Sequence, residues 1–213
     1  VKQFLSTILI PFLLTFTLCS VTVFDRFYTE SPLPETVHYT LRLGHGTYTP
    51  IPKNYEMVRK ALSDIEEELN VKIKIVDSFV YEAPKETLGL MWTVLECKGQ
   101  GDIHAQNESK IFADLTICLD GNMISNGTGG VAVPALGSMV AHTWEKNLFG
   151  EFYNKTQLKT ISINTIKHEI GHLLGCEHSR SGIMFWRAKL TDYESIGKFS
   201  NESIREVKEY HNG

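Results

Sequence analysis

The stretch His168-Glu169-Ile170-Gly171-His172-Leu173-Leu174-Gly175-Cys176-Glu177-His178 has the residue types and the spacing for metal chemistry. On a helix, residues four apart share a face, so His168 and His172 can aim their imidazoles at one point. Neutral imidazole is a good Zn2+ ligand, and Glu169 between the two is near enough to act on a water there. Gly175 follows three residues after His172, where a residue without a Cβ can take the left-handed turn that ends a helix. That reversal brings His178 within reach as a third nitrogen ligand. Three protein ligands leave one tetrahedral position open, the mark of a catalytic rather than a structural zinc. Chance would place HExxH in about one protein in a hundred, but the added Gly and third His lower that to on the order of one in 10⁵. A core helix that carries histidines by accident is a poor match to that arithmetic.

With Ser181-Gly182-Ile183-Met184 the stretch resembles the metzincin pattern, HExxHxxGxxH plus a Met-turn. Ser179, directly after the third His, is similar to the matrixins (matrix-metalloproteinase-like peptidases). Archaemetzincins resemble the chain less, because their further cysteines after the third His are missing. The likeness runs from about Ala113 to Met184. It implies an α+β, zincin-like fold: a twisted mixed sheet with an antiparallel edge strand, an active-site helix and a C-terminal helix. It implies one catalytic zinc on His168, His172 and His178, with Met184 as an apolar floor beneath them.

The expected chemistry follows. Zinc on three imidazoles lowers the pKa of a bound water toward about 7 and polarises a peptide carbonyl. Glu169 would take the water's proton and pass it to the leaving amine. The activity so implied is zinc-dependent hydrolysis of internal peptide bonds in extracellular proteins. The alternative is an exported zinc-binding adhesion or decoy module with little turnover, although Glu169 and all three ligands are intact. An aminopeptidase would want a glutamate ligand from a later helix, such as the stretch from Glu194 to Glu209, which the His178 spacing makes unnecessary.

In the fold so implied, Val131 to Leu136 would be the antiparallel edge strand beside the cleft, with Val131, Ala132 and Val133 able to take an extended substrate by main-chain pairing. Phe185-Trp186-Arg187 would begin the wall past the Met-turn, where bulk and basic charge suggest a shallow pocket or one tolerant of acids. A thiol-switch propeptide and the ligands of a second, structural zinc are not matched. His142 resembles one of those ligands, but with no partner in Val131 to Leu136 it reads as a surface or hydrogen-bonded residue. His38, His45, His104 and His211 read the same way. Calcium cannot be argued from Asp114 and Asp120 alone.

The bulk composition agrees with one globular domain: 213 residues, 42% hydrophobic, 22% charged. A net charge of −4 gives no basic field for nucleic acid. The apolar run Phe4 to Leu18 reads as a secretory signal peptide with cleavage near Cys19 or Ser20, or as an uncleaved membrane anchor extending to Phe24. Residues 1–20 are therefore leader or anchor, 21–35 a linker or short pro-segment, and 36–213 the catalytic domain, expected to be monomeric. Sequons at Asn107, Asn126, Asn154 and Asn201 support glycosylation of an exported chain. Without Cys19, three cysteines allow one bridge, and Cys97 with Cys118 is preferred because Cys176 suits a small buried apolar group.

These elements must position the motif. Val37 to Leu43 alternates as a strand, Gly44 to Pro52 reads as loop, and Tyr55, Val58, Leu62, Ile65 and Leu69 mark an amphipathic helix. Val71, Ile73 and Ile75 form a second strand. Leu88 to Leu95 reads as a strand and Lys98 to Asn107 as a polar loop. Ala113 to Ile117 resembles the family's ADI-type strand, Asp120 to Gly130 reads as a loop, and Val131–Leu136 and Met139–Thr143 as short strands. Phe149 to Lys159 reads as loop, with the zinc helix capped by Ser162 or Asn164 and burying Ile166, Ile170, Leu173 and Leu174. Ser200 or Asn201 caps a last helix containing Ile204 and Val207.

Overall fold

The computed structural model describes residues 36–46, 51–83, 89–120, 129–143, 154–185 and 197–212. Five strands form one sheet in the order β2-β1-β3-β5-β4. They are β1 (Val37–Gly46), β2 (Val71–Tyr81), β3 (Leu115–Asp120), β4 (Gly130–Val133) and β5 (Ser138–His142). Every pairing is parallel except β4 with β5, so β4 is the antiparallel edge strand. Four helices complete the described residues: α1 (Ile51–Leu69), α2 (Leu90–Asn107), α3 (Lys155–Leu173) and α4 (Asn201–Asn212). All of them lie in the unit from Pro34 to Gly213.

Both faces of the sheet are covered. On one, Leu41, Leu43, Ile117, Leu119 and Met139 pack with Val58, Leu62 and Ile65 of α1 and Ile166, Ile170 and Leu173 of α3. On the other, Phe79, Tyr81, Cys118 and Val140 pack with Val94 and Cys97 of α2. A strand covered on both faces loses its alternation. That is why β3 is buried from end to end.

Several expectations need correction. β1 runs on to Gly46 and α1 starts at Ile51, so most of the Gly44 to Pro52 loop is regular structure. Gly44 marks a close approach rather than a turn: a Cβ there would meet Cys118 Sγ at 2.6 Å and the Phe79 ring at 2.9 Å. β2 extends to Tyr81, its period hidden by a register shift where Leu41 pairs Ile75 but Arg42 pairs Asp77.

The largest error is α2. A helix occupies both the expected strand at Leu88–Leu95 and the expected polar loop at Lys98–Asn107. Its inward positions are Val94, Cys97, Gly101 and Ala105, a face of mostly small residues at helical spacing. Trp92, Leu95 and Ile103 are exposed, so large apolar groups on the wrong side cancel the amphipathic signal. The expected bridge is present: Cys97 of α2 is bonded to Cys118 of β3, and Cys176 is a buried free thiol. Burial, with Glu206 nearby, pushes that thiol up to about 12.

α3 starts earlier than Ser162 or Asn164. Asn154 caps it, accepting from Gln157 N–H at 2.9 Å while its own N–H donates to the Gln157 side chain at 2.9 Å. Ser162 and Asn164 are instead buried within the helix. Asn154→Ala should lower stability by about 1 kcal/mol. Chemical denaturation would show this as a lower midpoint at unchanged slope. At the other cap the expectation was sound: Ser200 Oγ accepts from Ser203 N–H at 3.1 Å, and Val207 is buried.

The edge strand stops at Val133, where Pro134–Leu136 form a 3-10 turn, so Val131–Leu136 is not strand throughout. His142 is buried at the end of β5 beside its register partner Asp120, not at the surface. Of the other histidines, His38 is exposed, and His45 packs on Tyr55. His104 meets Asp77 at 3.0 Å, and His211 donates through Nδ1 to Val207 O while its Nε2 meets Tyr39 Oη. Asn107, Asn154 and Asn201 are exposed; Asn126 and residues 1–20, where a leader or anchor is expected, lie outside the described residues. No helix among the described residues is long and apolar enough to cross a membrane.

Candidate metal centre

α3 carries His168, Glu169 and His172 in its last two turns, and it is anchored before it reaches them. The buried Lys167 ammonium meets Glu68 of α1 at 3.0 Å, and the other Glu68 oxygen accepts from Phe199 N–H at 2.7 Å. One carboxylate thus ties α1, α3 and the segment before α4 together, a partnership that sequence spacing gives no means of seeing.

The helix ends in a Schellman motif. Cys176 N–H donates to Gly171 O at 2.9 Å and Gly175 N–H to His172 O at 3.1 Å, with Gly175 left-handed at φ +95°. A side chain at 175 would be strained in that conformation, as the sequence reading anticipated. The reversal brings His178 to the two helical histidines. His172 Nε2 lies 3.2 Å from His168 Nε2 and 3.2 Å from His178 Nε2. Among the described residues, this is the one group of three or more His, Cys, Asp or Glu side chains placed to share an ion.

The ring orientations show what the triad is suited to hold. His168 Nδ1 donates to Ile183 O at 2.7 Å, and His172 Nδ1 donates to Cys176 O at 2.8 Å. A carbonyl only accepts, so each neutral ring carries its proton on Nδ1 and turns the Nε2 lone pair to the centre. Lone pairs 3.2 Å apart repel unless a cation lies between them. Tetrahedral ligands at about 2.05 Å from zinc would stand about 3.3 Å apart, which the two separations from His172 Nε2 match, and all three donors lie within 4.8 Å of one another. Burial, followed by the neighbouring imidazoles, holds His168 down at about 4, and burial lowers His172 in the same direction. Both are therefore neutral at physiological pH, as ligands must be.

Glu169 is buried beside the start of the edge strand. A Cβ on Gly130, the first residue of β4, would lie 2.6 Å from both Cγ and Oε1 of Glu169. Burial pushes this carboxyl up to about 8, and a dication nearby would favour its charged form. Met184 is fully buried, and a Cβ on Gly171 would meet its Sδ at 2.6 Å, so the thioether packs against α3 between His168 and His172. The Met-turn itself is held by Ser179 N–H on Met184 O at 3.0 Å and Ile183 N–H on Lys198 O at 2.8 Å. Phe185 pairs with Ser179 as an isolated bridge; Trp186 and Arg187 lie outside the described residues.

Gly130 and the carbonyls of Ile183 and Cys176 went unread in the sequence. Carbonyls carry no sequence signal, whereas the Gly129-Gly130 pair was visible but read as loop.

A family model described as metallo-peptidase family M12B, reprolysin-like, matches residues 53–179, more than half of the chain. The chain belongs to that family. No curated protein matches the sequence of this reprolysin-like chain. Its fold is shared with several solved structures. A zinc-dependent peptidase from Methanocorpusculum labreanum is 16% identical with a TM-score of 0.54, covering 79% of this chain and 99% of its own. Archaemetzincin from Methanopyrus kandleri is 13% identical at 0.59, covering 85% and 100%. Metalloproteinase-II from Bacteroides fragilis is 15% identical at 0.56, covering 84% of this chain and 55% of its own. The reprolysin-like domain is thus a metzincin-type zinc metallopeptidase domain. The matched family is reprolysin-like, and the matrixin subtype expected from the sequence is not supported by it.

Proposed function

We propose that this chain is a zinc endopeptidase acting on extracellular polypeptides, with His168, His172 and His178 holding one ion and Glu169 as general base. The observation that carries it is the convergence of three imidazoles, with His172 Nε2 3.2 Å from Nε2 of both His168 and His178, two of the rings being oriented by backbone carbonyls. When bound, zinc supplies a Lewis acid that polarises the scissile carbonyl and acidifies water. The rest falls to the protein. Glu169 takes a proton from the attacking water and returns it to the leaving amine. Its carboxylate is shielded by Gly130, which lets the edge strand run close against it.

Val131, Ala132 and Val133 offer the outer edge of β4 to an extended substrate, and main-chain pairing sets its register. Nothing about that mode requires a free chain end, which favours internal bonds. Met184 keeps the floor apolar, and Phe185 begins the wall for the residue past the cleaved bond. The leader at residues 1–20 exports the domain or anchors it at the membrane.

Gly130→Ala should retain zinc but lose about 10²-fold in turnover, because the new methyl displaces the base by a large fraction of an ångström. Steady-state peptide hydrolysis beside metal content checks this.

The test of the whole reading is metal analysis with a casein assay. One zinc per chain, chelator-sensitive release of internal peptides and recovery on adding zinc are expected. Zinc binding without hydrolysis would favour the adhesion or decoy module instead. Release of single N-terminal residues would favour an aminopeptidase.

A further inference from the structure

The third ligand is held differently from the other two. His168 and His172 each give Nδ1 to a carbonyl, whereas among the described residues no carbonyl receives a ring nitrogen of His178, which is exposed. Its place is set through its backbone. On the far side, Ser179 N–H is fixed to Met184 O.

On the near side, all three residues of the reversal meet one face of α4. Gly175 lies under the Tyr210 ring, where a Cβ would stand 2.5 Å from Cγ. Cys176 Sγ donates to Ser203 O at 3.6 Å. Glu177 N–H donates to Glu206 Oε2 at 3.1 Å. Ser203, Glu206 and Tyr210 stand three and four apart, the spacing of a single helical face. Of the three contacts, the one to a carboxylate is charge-assisted and the strongest. It also acts on the residue immediately before the ligand.

We propose that Glu206 is a positioning residue of the metal centre: by holding the N–H of Glu177 it fixes the backbone that presents His178. This rests on the triad being a metal centre. α4 is then part of the site, although none of its residues reaches the ion. A loose third ligand weakens binding because the rotamers and backbone that zinc must order are no longer ordered in advance.

The test uses the full chain with zinc and cobalt ions alone. Zinc affinity is measured by competition with a chromophoric chelator for wild type, Glu206→Ala, Glu206→Gln and Glu206→Asp. The Ala variant should bind about 10- to 100-fold more weakly. Gln keeps an acceptor oxygen and should stay within a few fold of wild type. The visible bands of the Co2+ form should shift in Ala and not in Gln, a signature that general destabilisation would not produce. Should Ala not fold, Asp serves, since its carboxylate is one methylene short and should also weaken binding. Wild-type affinity in Ala or in Asp would overturn the proposal, as would equal losses in Ala and Gln. A wild-type chain that binds no zinc would instead bring down the metal-centre reading, and this proposal with it.

Discussion

Glu169→Ala should bind zinc as wild type does and lose about two to four orders of magnitude in peptide hydrolysis. The two halves of that expectation have separate causes. Glu169 is not one of the three converging side chains, so its removal leaves the donor set whole. It is also a buried carboxyl with its pKa raised by desolvation, and deleting it removes a group that burial penalises. Folding and metal content should therefore survive. Turnover should not, because the carboxylate sits on the same helix as His168 and His172 and against the start of the edge strand, where the proposed mechanism needs its base. Glu169→Gln makes the comparison sharper, as it keeps the shape and removes only the basicity. Zinc content by atomic emission and single-turnover hydrolysis of a fluorogenic peptide are the measurements. Activity near wild type in either variant would mean that another group takes the proton.

His172→Ala should weaken zinc binding by about two to three orders of magnitude. Structural zinc sites with four ligands bind with about 10–16 kcal/mol, so one ligand is worth roughly 2.5–4 kcal/mol. His172 is the ligand to remove because it is central, with its Nε2 3.2 Å from each of the others. The change also leaves the Cys176 carbonyl without its imidazole donor, at the turn that leads to His178. The loss should therefore exceed that of Glu206→Ala. Isothermal titration with zinc in metal-free buffer would show it. A variant that still binds zinc as tightly as wild type would remove His172 from the ligand set.

Local chemistry was legible in the chain. HExxHxxGxxH carries its own geometry, since four-residue helical spacing and a left-handed glycine bring the imidazoles toward one point over eleven residues. The Met-turn stands only a few residues further on. β2 and α1 were visible where one face meets solvent and the alternation survives. Period signals disappeared where both faces are covered, as in β3, and where the inward face is small, as in α2. A run of Cys97, Gly101 and Ala105 looks polar or neutral until the sheet it packs against is known.

What the chain determined by itself is the set of candidate metal donors, because they are neighbours on one helix and one turn. Tertiary structure decided how they are held. The carbonyls of Ile183 and Cys176 fix two of the rings, and Glu68 ties α3 to α1. Gly130 brings the edge strand onto Glu169, and Glu206 reaches the turn before His178 from 29 residues further along the chain. Such contacts join residues distant in sequence, several through backbone atoms that every residue possesses. Residue type and spacing are silent about them until packing chooses which neighbours meet.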